Sequence, residues 1–217
     1  MRPKSHTFII ASDGQIPLGI ALFLWMLSLW LEFLPWVFFL MLVGLLWVYR
    51  NPERIPDEDD SRALLAPIDG KICAIEQSKF TPNGEKFLCV SIEGSAYGVG
   101  VLRAPNAFTC KEISTKDGLN LPHDLSQAKI LNSRIKLHCE TKNGDFWLGV
   151  QAGPWVKQVS PYGLNRPIKM GARFGFGLGS KVSLYLPYSA RIRANIGDKV
   201  YGGESVIGYL QGDKNGS

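Results

Sequence analysis

Between residues 16 and 48 the sequence carries a single charge, Glu32. So long an apolar run cannot form the outside of a water-soluble domain and must be covered by protein or lipid. As one helix it would extend about 50 Å, against about 30 Å of hydrocarbon in a bilayer. Glu32-Phe33-Leu34-Pro35 interrupts it, because a proline disfavours helix at the residue before it. Two pieces of about 15 residues result, each short for a full span. Arg2 and Lys4 precede the run and Arg50 and Arg54 follow it. The positive-inside rule then puts both ends in the cytoplasm. The expectation is a cytoplasmic N-terminus (1–15) and a membrane anchor (16–49), folded as a helical hairpin or re-entrant pair. A single tilted span with Glu32 snorkelling is the alternative. Residues 1–15 are too polar for a secretory signal, and the run is too long for one.

After Arg50 the composition is that of a water-soluble domain. Residues 50–62 read as a linker, with two prolines and the acidic run Asp57-Glu58-Asp59-Asp60. Short runs rich in Val, Ile, Leu, Phe and Tyr follow, separated by Gly, Pro and Asn. They are Lys71–Glu76, Lys86–Ile92, Gly98–Arg103, Ile135–Cys139, Trp147–Ala152, Lys181–Tyr185 and Ser205–Leu210. That pattern predicts strands, and no helical stripe of three turns is visible after residue 50. Residues 113–130 are polar and read as one long loop. Ala66-Pro67-Ile68-Asp69-Gly70-Lys71-Ile72 and Ile196-Gly197-Asp198-Lys199-Val200 look alike, a turn chemistry found in barrel-sandwich hybrids. The expected fold is mainly β: a barrel-sandwich-like soluble domain over 63–212, behind the N-terminal hydrophobic helical hairpin, with a flexible tail at 213–217.

Charge and cysteine usage narrow the partners. Residues 157–217 hold nine Lys/Arg against three acids, a basic surface suited to anionic lipid or simply to solubility. No basic helix, zinc-finger spacing or aromatic-basic RNA motif points to nucleic acid. Cys73, Cys89, Cys110 and Cys139 show no C-x-x-C spacing, so free thiols and no metal site are expected.

The most informative stretch is Gly171-Ala172-Arg173-Phe174-Gly175-Phe176-Gly177-Leu178-Gly179-Ser180, ahead of the run Lys181–Tyr185. Its glycines mark a backbone that turns tightly or is closely approached. By itself a Gly-Ser pair before a strand is a β-turn. In order along the chain, four other stretches accompany it. They are Tyr49-Arg50-Asn51-Pro52-Glu53-Arg54, Ala66-Pro67-Ile68-Asp69-Gly70-Lys71, and Arg103-Ala104-Pro105 with Gln151-Ala152-Gly153. The ordered set resembles the short, membrane-anchored phosphatidylserine decarboxylase proenzymes over about residues 16–210.

The resemblance implies a chemistry. Ser180 Oγ attacks the Gly179 carbonyl, the resulting ester is eliminated, and dehydroalanine hydrolyses to a covalent pyruvoyl group derived from Ser180. Cleavage between 179 and 180 leaves chains 1–179 and 180–217 as a non-covalent heterodimer. The pyruvoyl ketone forms a Schiff base with phosphatidylserine in the membrane and acts as an electron sink for decarboxylation to phosphatidylethanolamine and CO2. The implied location is the inner cell membrane, with the soluble domain on its cytoplasmic side.

Residue roles follow in the same way. Gly179 is the cleavage partner, Asp69 assists self-cleavage as base or by orienting one, and Arg103 is a candidate for substrate carboxylate or phosphate. Asn132 and Arg134 match part of an Asn-Glu-Arg pattern, with Ser133 in place of its acid. The family's proton-donating histidine, five residues before the Pro of Arg-Ala-Pro, is Gly100 here. Of the three histidines His6, His123 and His138, His123 is the best substitute and a candidate substrate-binding residue, since it lies in the long loop. Restoring the histidine, as in Gly100→His, is expected to raise turnover. The competing reading is a catalytically impaired relative that acts as a phospholipid-binding or membrane-anchored adaptor.

Overall fold

The structure, a computed structural model, describes residues 10–58, 60–79, 86–154 and 159–211. Arg2, Lys4, His6, Lys157 and the expected tail at 213–217 lie outside the described residues. The chain divides into two compact units, Met1–Glu53 and Arg54–Ser217.

In the first unit, helix α1 (Gln15–Trp30) and helix α2 (Pro35–Val48) are joined by four residues. Glu32 and Leu34 take left-handed φ of 51° and 47°, which reverses the chain within that short link, and Pro35 opens α2, where its missing N–H costs nothing. The helices pack on each other, with the Trp25 and Phe39 rings 5.6 Å apart. At their far ends the Ala11 N–H donates to the Tyr49 carbonyl at 2.9 Å. Most of their apolar surface is uncovered, Trp30 and Trp36 being 80% and 77% exposed, and α2 buries none of its residues. No helix among the described residues is long and apolar enough to cross a membrane.

The second unit is mainly β. In chain order its strands are β1 (Ala63–Leu65), β2 (Gly70–Lys79), β3 (Lys86–Gly94), β4 (Val101–Arg103) and β5 (Thr109–Lys116). A single helical turn, α3 (Ala128–Leu131), precedes β6 (Arg134–Glu140), β7 (Phe146–Gln151), β8 (Ser160–Pro161) and β9 (Arg173–Phe176). Then come β10 (Lys181–Pro187), β11 (Arg191–Ile192), β12 (Lys199–Val200) and β13 (Val206–Tyr209). A seven-stranded sheet runs in the order β12-β2-β3-β10-β7-β6-β5, flanked by two three-stranded sheets, β1-β13-β11 and β4-β9-β8.

Alternation explains the large sheet. In β10, Val182, Leu184 and Leu186 are buried while Lys181, Ser183 and Tyr185 lie on the other face. β7 does the same with Phe146, Leu148 and Val150, and β6 with Ile135, Leu137 and Cys139. In register, Leu184 stands opposite Val90 of β3 and Leu148 of β7. Phe108, Phe146 and Phe174 close the core edge to face, with centroids 5.9 and 6.1 Å apart, the arrangement favoured by ring quadrupoles. The look-alike stretches prove to be neighbours: Lys199 pairs with Lys71 and Val200 with Gly70.

The loop expected over 113–130 is shorter than its composition implied. β5 continues to Lys116, and α3 occupies Ala128–Leu131, leaving 117–127 as the irregular segment. β5 was hidden because it is an edge strand pairing only with β6, and from Lys111 onward its side chains are exposed, so no alternation of apolar residues marks it. The cysteines are free, with Cys139 buried and the other three half-buried; burial pushes the Cys139 thiol far above its ordinary range.

Candidate active site

β9 and β10 are joined by Gly177-Leu178-Gly179-Ser180. Gly179 turns the chain with φ +62°, a conformation open to glycine and strained for residues with a Cβ. The Ser180 N–H donates back to the Gly177 carbonyl at 3.1 Å, and the Ser180 carbonyl accepts from the Gly94 N–H at 2.9 Å. The serine is thus locked at the head of the central strand. It is wholly buried, and its Oγ has no hydrogen-bond partner among the described residues. A buried hydroxyl left unpaired costs stability and calls for an explanation, a catalytic role being one. Gly177 leaves room for it: a Cβ there would lie 2.8 Å from Ser180 Oγ.

Two further elements converge on Gly179. The end of β7 brings in Gly153, where a Cβ would fall 2.2 Å from the Gly179 oxygen and 3.1 Å from His123 Nε2. The 117–127 loop brings in His123, whose Nε2 lies 3.1 Å from the same oxygen. A carbonyl can only accept, so Nε2 carries the hydrogen. Burial holds the His123 pKa below its ordinary value, opposed by this contact with Gly179. Asn132 fastens the loop: its Oδ1 accepts from the Leu121 N–H at 2.8 Å, and its Nδ2 donates to the Leu121 carbonyl at 2.7 Å and the Ala152 carbonyl at 3.1 Å. Ser133 Oγ bonds both the N–H and the carbonyl of Gly118, each at 3.1 Å.

Asp69 follows β1 in a buried turn. Arg54 grips it with two parallel bonds of 2.7 Å, Nη1 to Oδ1 and Nη2 to Oδ2. Oδ1 also accepts from the Gly202 N–H at 2.8 Å and Oδ2 from the Val99 N–H at 3.3 Å. The next residue, Gly100, accepts the Gly177 N–H at 2.7 Å, so Asp69 is connected through backbone to the Gly-Ser turn. Arg103 is buried, and its Nη1 donates to the Gly171 carbonyl at 3.3 Å. Its Cδ lies 2.3 Å from where Gly203 would carry a Cβ. His138 lies on β6, stacked on Trp147 at 4.3 Å, with Nε2 3.1 Å from Asp145 Oδ2.

The structure therefore gathers Gly179, Ser180, Gly153 and His123, with Asp69 reaching the same turn through Val99 and Gly100. Sequence reasoning did not single out Arg54 as the partner of Asp69, although Arg54 closes the quoted Tyr49–Arg54 motif. It also left Asn132 without a role.

The phosphatidylserine decarboxylase family model matches residues 45–208. The chain belongs to the phosphatidylserine decarboxylase family. Among relatives, the phosphatidylserine decarboxylase proenzyme of Pelobacter propionicus is 32% identical over 177 residues, 80% of each chain. Those of Burkholderia ambifaria and Burkholderia vietnamiensis are each 30% identical over 179 residues, 81% of this chain and 83% of theirs. No solved structure matches. The region matched by the decarboxylase family contains every residue of the candidate site, from Arg54 to Ser180.

Proposed function

We propose that the chain is a self-processing, pyruvoyl-dependent decarboxylase that converts phosphatidylserine to phosphatidylethanolamine and CO2. Membership of the family supports the reaction class. The observation that carries the self-processing is the pairing of a left-handed Gly179 with a buried Ser180 whose Oγ has no hydrogen-bond partner among the described residues.

The residues fit a pyruvoyl group at Ser180. Ser180 Oγ adds to the Gly179 carbonyl carbon, the C–N bond breaks, and the hydroxyl proton passes to the Ser180 nitrogen. A base takes the Ser180 α-proton and the ester C–O bond breaks, leaving Gly179 as a free carboxylate. Water then converts the dehydroalanine to a pyruvoyl group with loss of ammonia. Asp69 contributes as an orienting group, since both of its oxygens are already engaged by Arg54, Gly202 and Val99. The pyruvoyl ketone supplies the electrophile that captures the substrate amine and accepts the electrons left behind by CO2.

Strand pairing supports a stable heterodimer of 1–179 and 180–217. β10 begins just after the cut and is hydrogen-bonded on both sides, to β3 and β7, while β13 lies between β1 and β11. The pairing of β12 with β2 supports a barrel-sandwich-like reading of the 63–212 domain. The uncovered apolar helices α1 and α2 support a hairpin anchor over 16–49 that enters the cytoplasmic side of the inner membrane. There the substrate's acyl chains remain in lipid while the basic C-terminal third faces anionic headgroups.

Intact-mass measurement of the purified protein tests this. Two chains divided after Gly179, the smaller blocked by pyruvoyl, are expected, together with conversion of phosphatidylserine to phosphatidylethanolamine in mixed micelles. A single unbroken chain overturns the reading.

A further inference from the structure

Self-cleavage places negative charge on one atom, the Gly179 oxygen, when Ser180 Oγ adds to its carbonyl carbon. That oxygen is in contact with His123 Nε2 at 3.1 Å. The opposite ring nitrogen, Nδ1, is buried with no hydrogen-bond partner among the described residues. A histidine kept only for packing gains nothing from burying a bare nitrogen. Here the Nε2 edge of the ring is aimed at the oxygen where charge develops, and the loop that carries it is tied down at Leu121 by Asn132 and at Gly118 by Ser133. Gly153 permits the approach, because a Cβ there would lie 2.2 Å from the Gly179 oxygen and 3.1 Å from the His123 nitrogen.

We infer that His123 is the electrophilic catalyst of self-cleavage: its Nε2–H stabilises the oxyanion formed on Gly179 when Ser180 adds. This rests on the self-cleavage reading above and specifies which group answers the charge. The Oγ–C bond forms and the C–N bond breaks, the hydroxyl proton moves to the Ser180 nitrogen, and His123 keeps its own proton throughout. A donor already aimed at the developing charge needs no reorganisation, and removing one such donor typically costs about 100-fold to 1,000-fold in rate.

The role needs a hydrogen on Nε2 and no net charge, which suits a half-buried ring whose Nδ1 is closed off from solvent. Glu93 on β3 and Asp124 on the same loop favour the charged ring, Lys181 on β10 disfavours it, and burial outweighs all three. It does not replace the proton donor that the resemblance assigns to the position of Gly100. The imidazole at this turn comes from another segment, and it serves the step that makes the prosthetic group.

The deciding comparison is the isosteric pair His123→Gln and His123→Glu, with His123→Leu beside it. Newly made full-length protein is followed by mass for the fraction broken after Gly179. The amide of Gln retains an N–H, and its processing rate is expected within about tenfold of wild type, whereas Leu, lacking a donor, is expected to be slower by about 100-fold or more. An ionised Glu turns a carboxylate toward the oxygen, so cleavage should stop near pH 8 and recover toward pH 5, where a protonated carboxyl donates. That recovery is not expected if position 123 is merely structural. If Leu fails to fold, judged by the melting of the matching Ser180→Ala double variant, the Gln and Glu pair still decides. Wild type that breaks while Glu breaks at the same rate overturns this inference alone. A folded wild type that never breaks overturns the self-cleavage reading itself.

Discussion

The ring of Phe176 lies directly over Gly100: a Cβ at position 100 would come 2.8 Å from Phe176 Cε2 and Cζ and 3.0 Å from the Leu178 Cα. The space in which a side chain at position 100 would begin is occupied by an aromatic side chain of the strand leading to the Gly179-Ser180 turn. Gly100→His is therefore expected to push Phe176 and Leu178 aside and destabilise the fold by about 1–3 kcal/mol, the usual cost of overpacking. This runs against the expectation from sequence that the substitution raises turnover. Chemical denaturation and a lipid decarboxylation assay on the same preparation check both points. A stable Gly100→His protein with faster turnover would show that the ring yields.

What was legible in the sequence was what depends on local pattern. β6, β7 and β10 announce themselves by alternation, since one face of each packs on the core, and β3 by its run of apolar residues. Gly179 and Ser180 stood out only in company with the other ordered motifs, since a Gly-Ser step before a strand is by itself a β-turn. β5 did not, because most of its side chains meet water. What the two segments that complete the site touch was illegible for a different reason: Arg54 reaches Asp69 across 15 positions and His123 reaches Gly179 across 56. No spacing rule relates residues that far apart. His123 was picked out only because it lay in a loop long enough to fold over, and Phe176 passed unremarked because its neighbour across the sheets is set by pairing of β4 with β9.

The Arg54–Asp69 pair is nearly dry, with side chains 11% and 12% exposed. Breaking such a pair from one side leaves a buried charge without its partner, which costs about 3–5 kcal/mol. Arg54→Ala and Asp69→Asn are each expected to lower stability by that order. The double variant should cost clearly less than the two added together, because the stranded charge is gone. Urea denaturation of the four proteins in a Ser180→Ala background, where no cleavage complicates the transition, measures the coupling. Strict additivity would mean that the two side chains act independently.

His123 makes stability depend on pH with a definite sign. Its pKa is lowered in the folded chain by burial, so the unfolded chain binds the proton more readily. Stability associated with this ring is intact above the unfolded value, about 6.5, and is lost as pH falls from there toward the depressed folded value. In uncleaved Ser180→Ala protein, melting temperature is expected to drop on acidification from pH 7.5 to 5.5. Adding His123→Gln should flatten the part of that drop owed to the ring. Equal slopes for the two proteins would show that the ring charges as freely in the folded chain as in the unfolded one.

If the cut follows Gly179, the 180–217 chain is held by pairing and packing alone, and β10 carries most of both. Leu184 is fully buried at the centre of that strand, opposite Val90 and Leu148. Truncating a leucine so placed costs about 2–5 kcal/mol. Leu184→Ala is expected to cleave normally yet lose its small chain at lower urea than wild type, as read by size-exclusion chromatography. A heterodimer as resistant as wild type would mean that β12 and β13 hold the fragment instead.

Gly153→Ala tests the crowding at the Gly179 carbonyl while leaving Gly179 and Ser180 themselves unchanged. The backbone of Gly153 is not left-handed, so alanine is acceptable there in itself; the obstacle is the Gly179 oxygen, 2.2 Å from the added methyl. Backbone on both sides has little freedom to yield, because Gly153 follows β7 and Gly179 is held between His123 and the Ser180 anchor to Gly94. The carbonyl must rotate or withdraw, and either movement takes it off both the line of Ser180 attack and the His123 donor. A misplacement of about 1 Å can cost on the order of 100-fold in rate. The uncut chain should therefore accumulate, and its appearance by mass over hours, set beside wild type made in parallel, is the measurement. Normal cleavage in Gly153→Ala would mean that the Gly179 carbonyl reacts from a position other than the one it holds against His123.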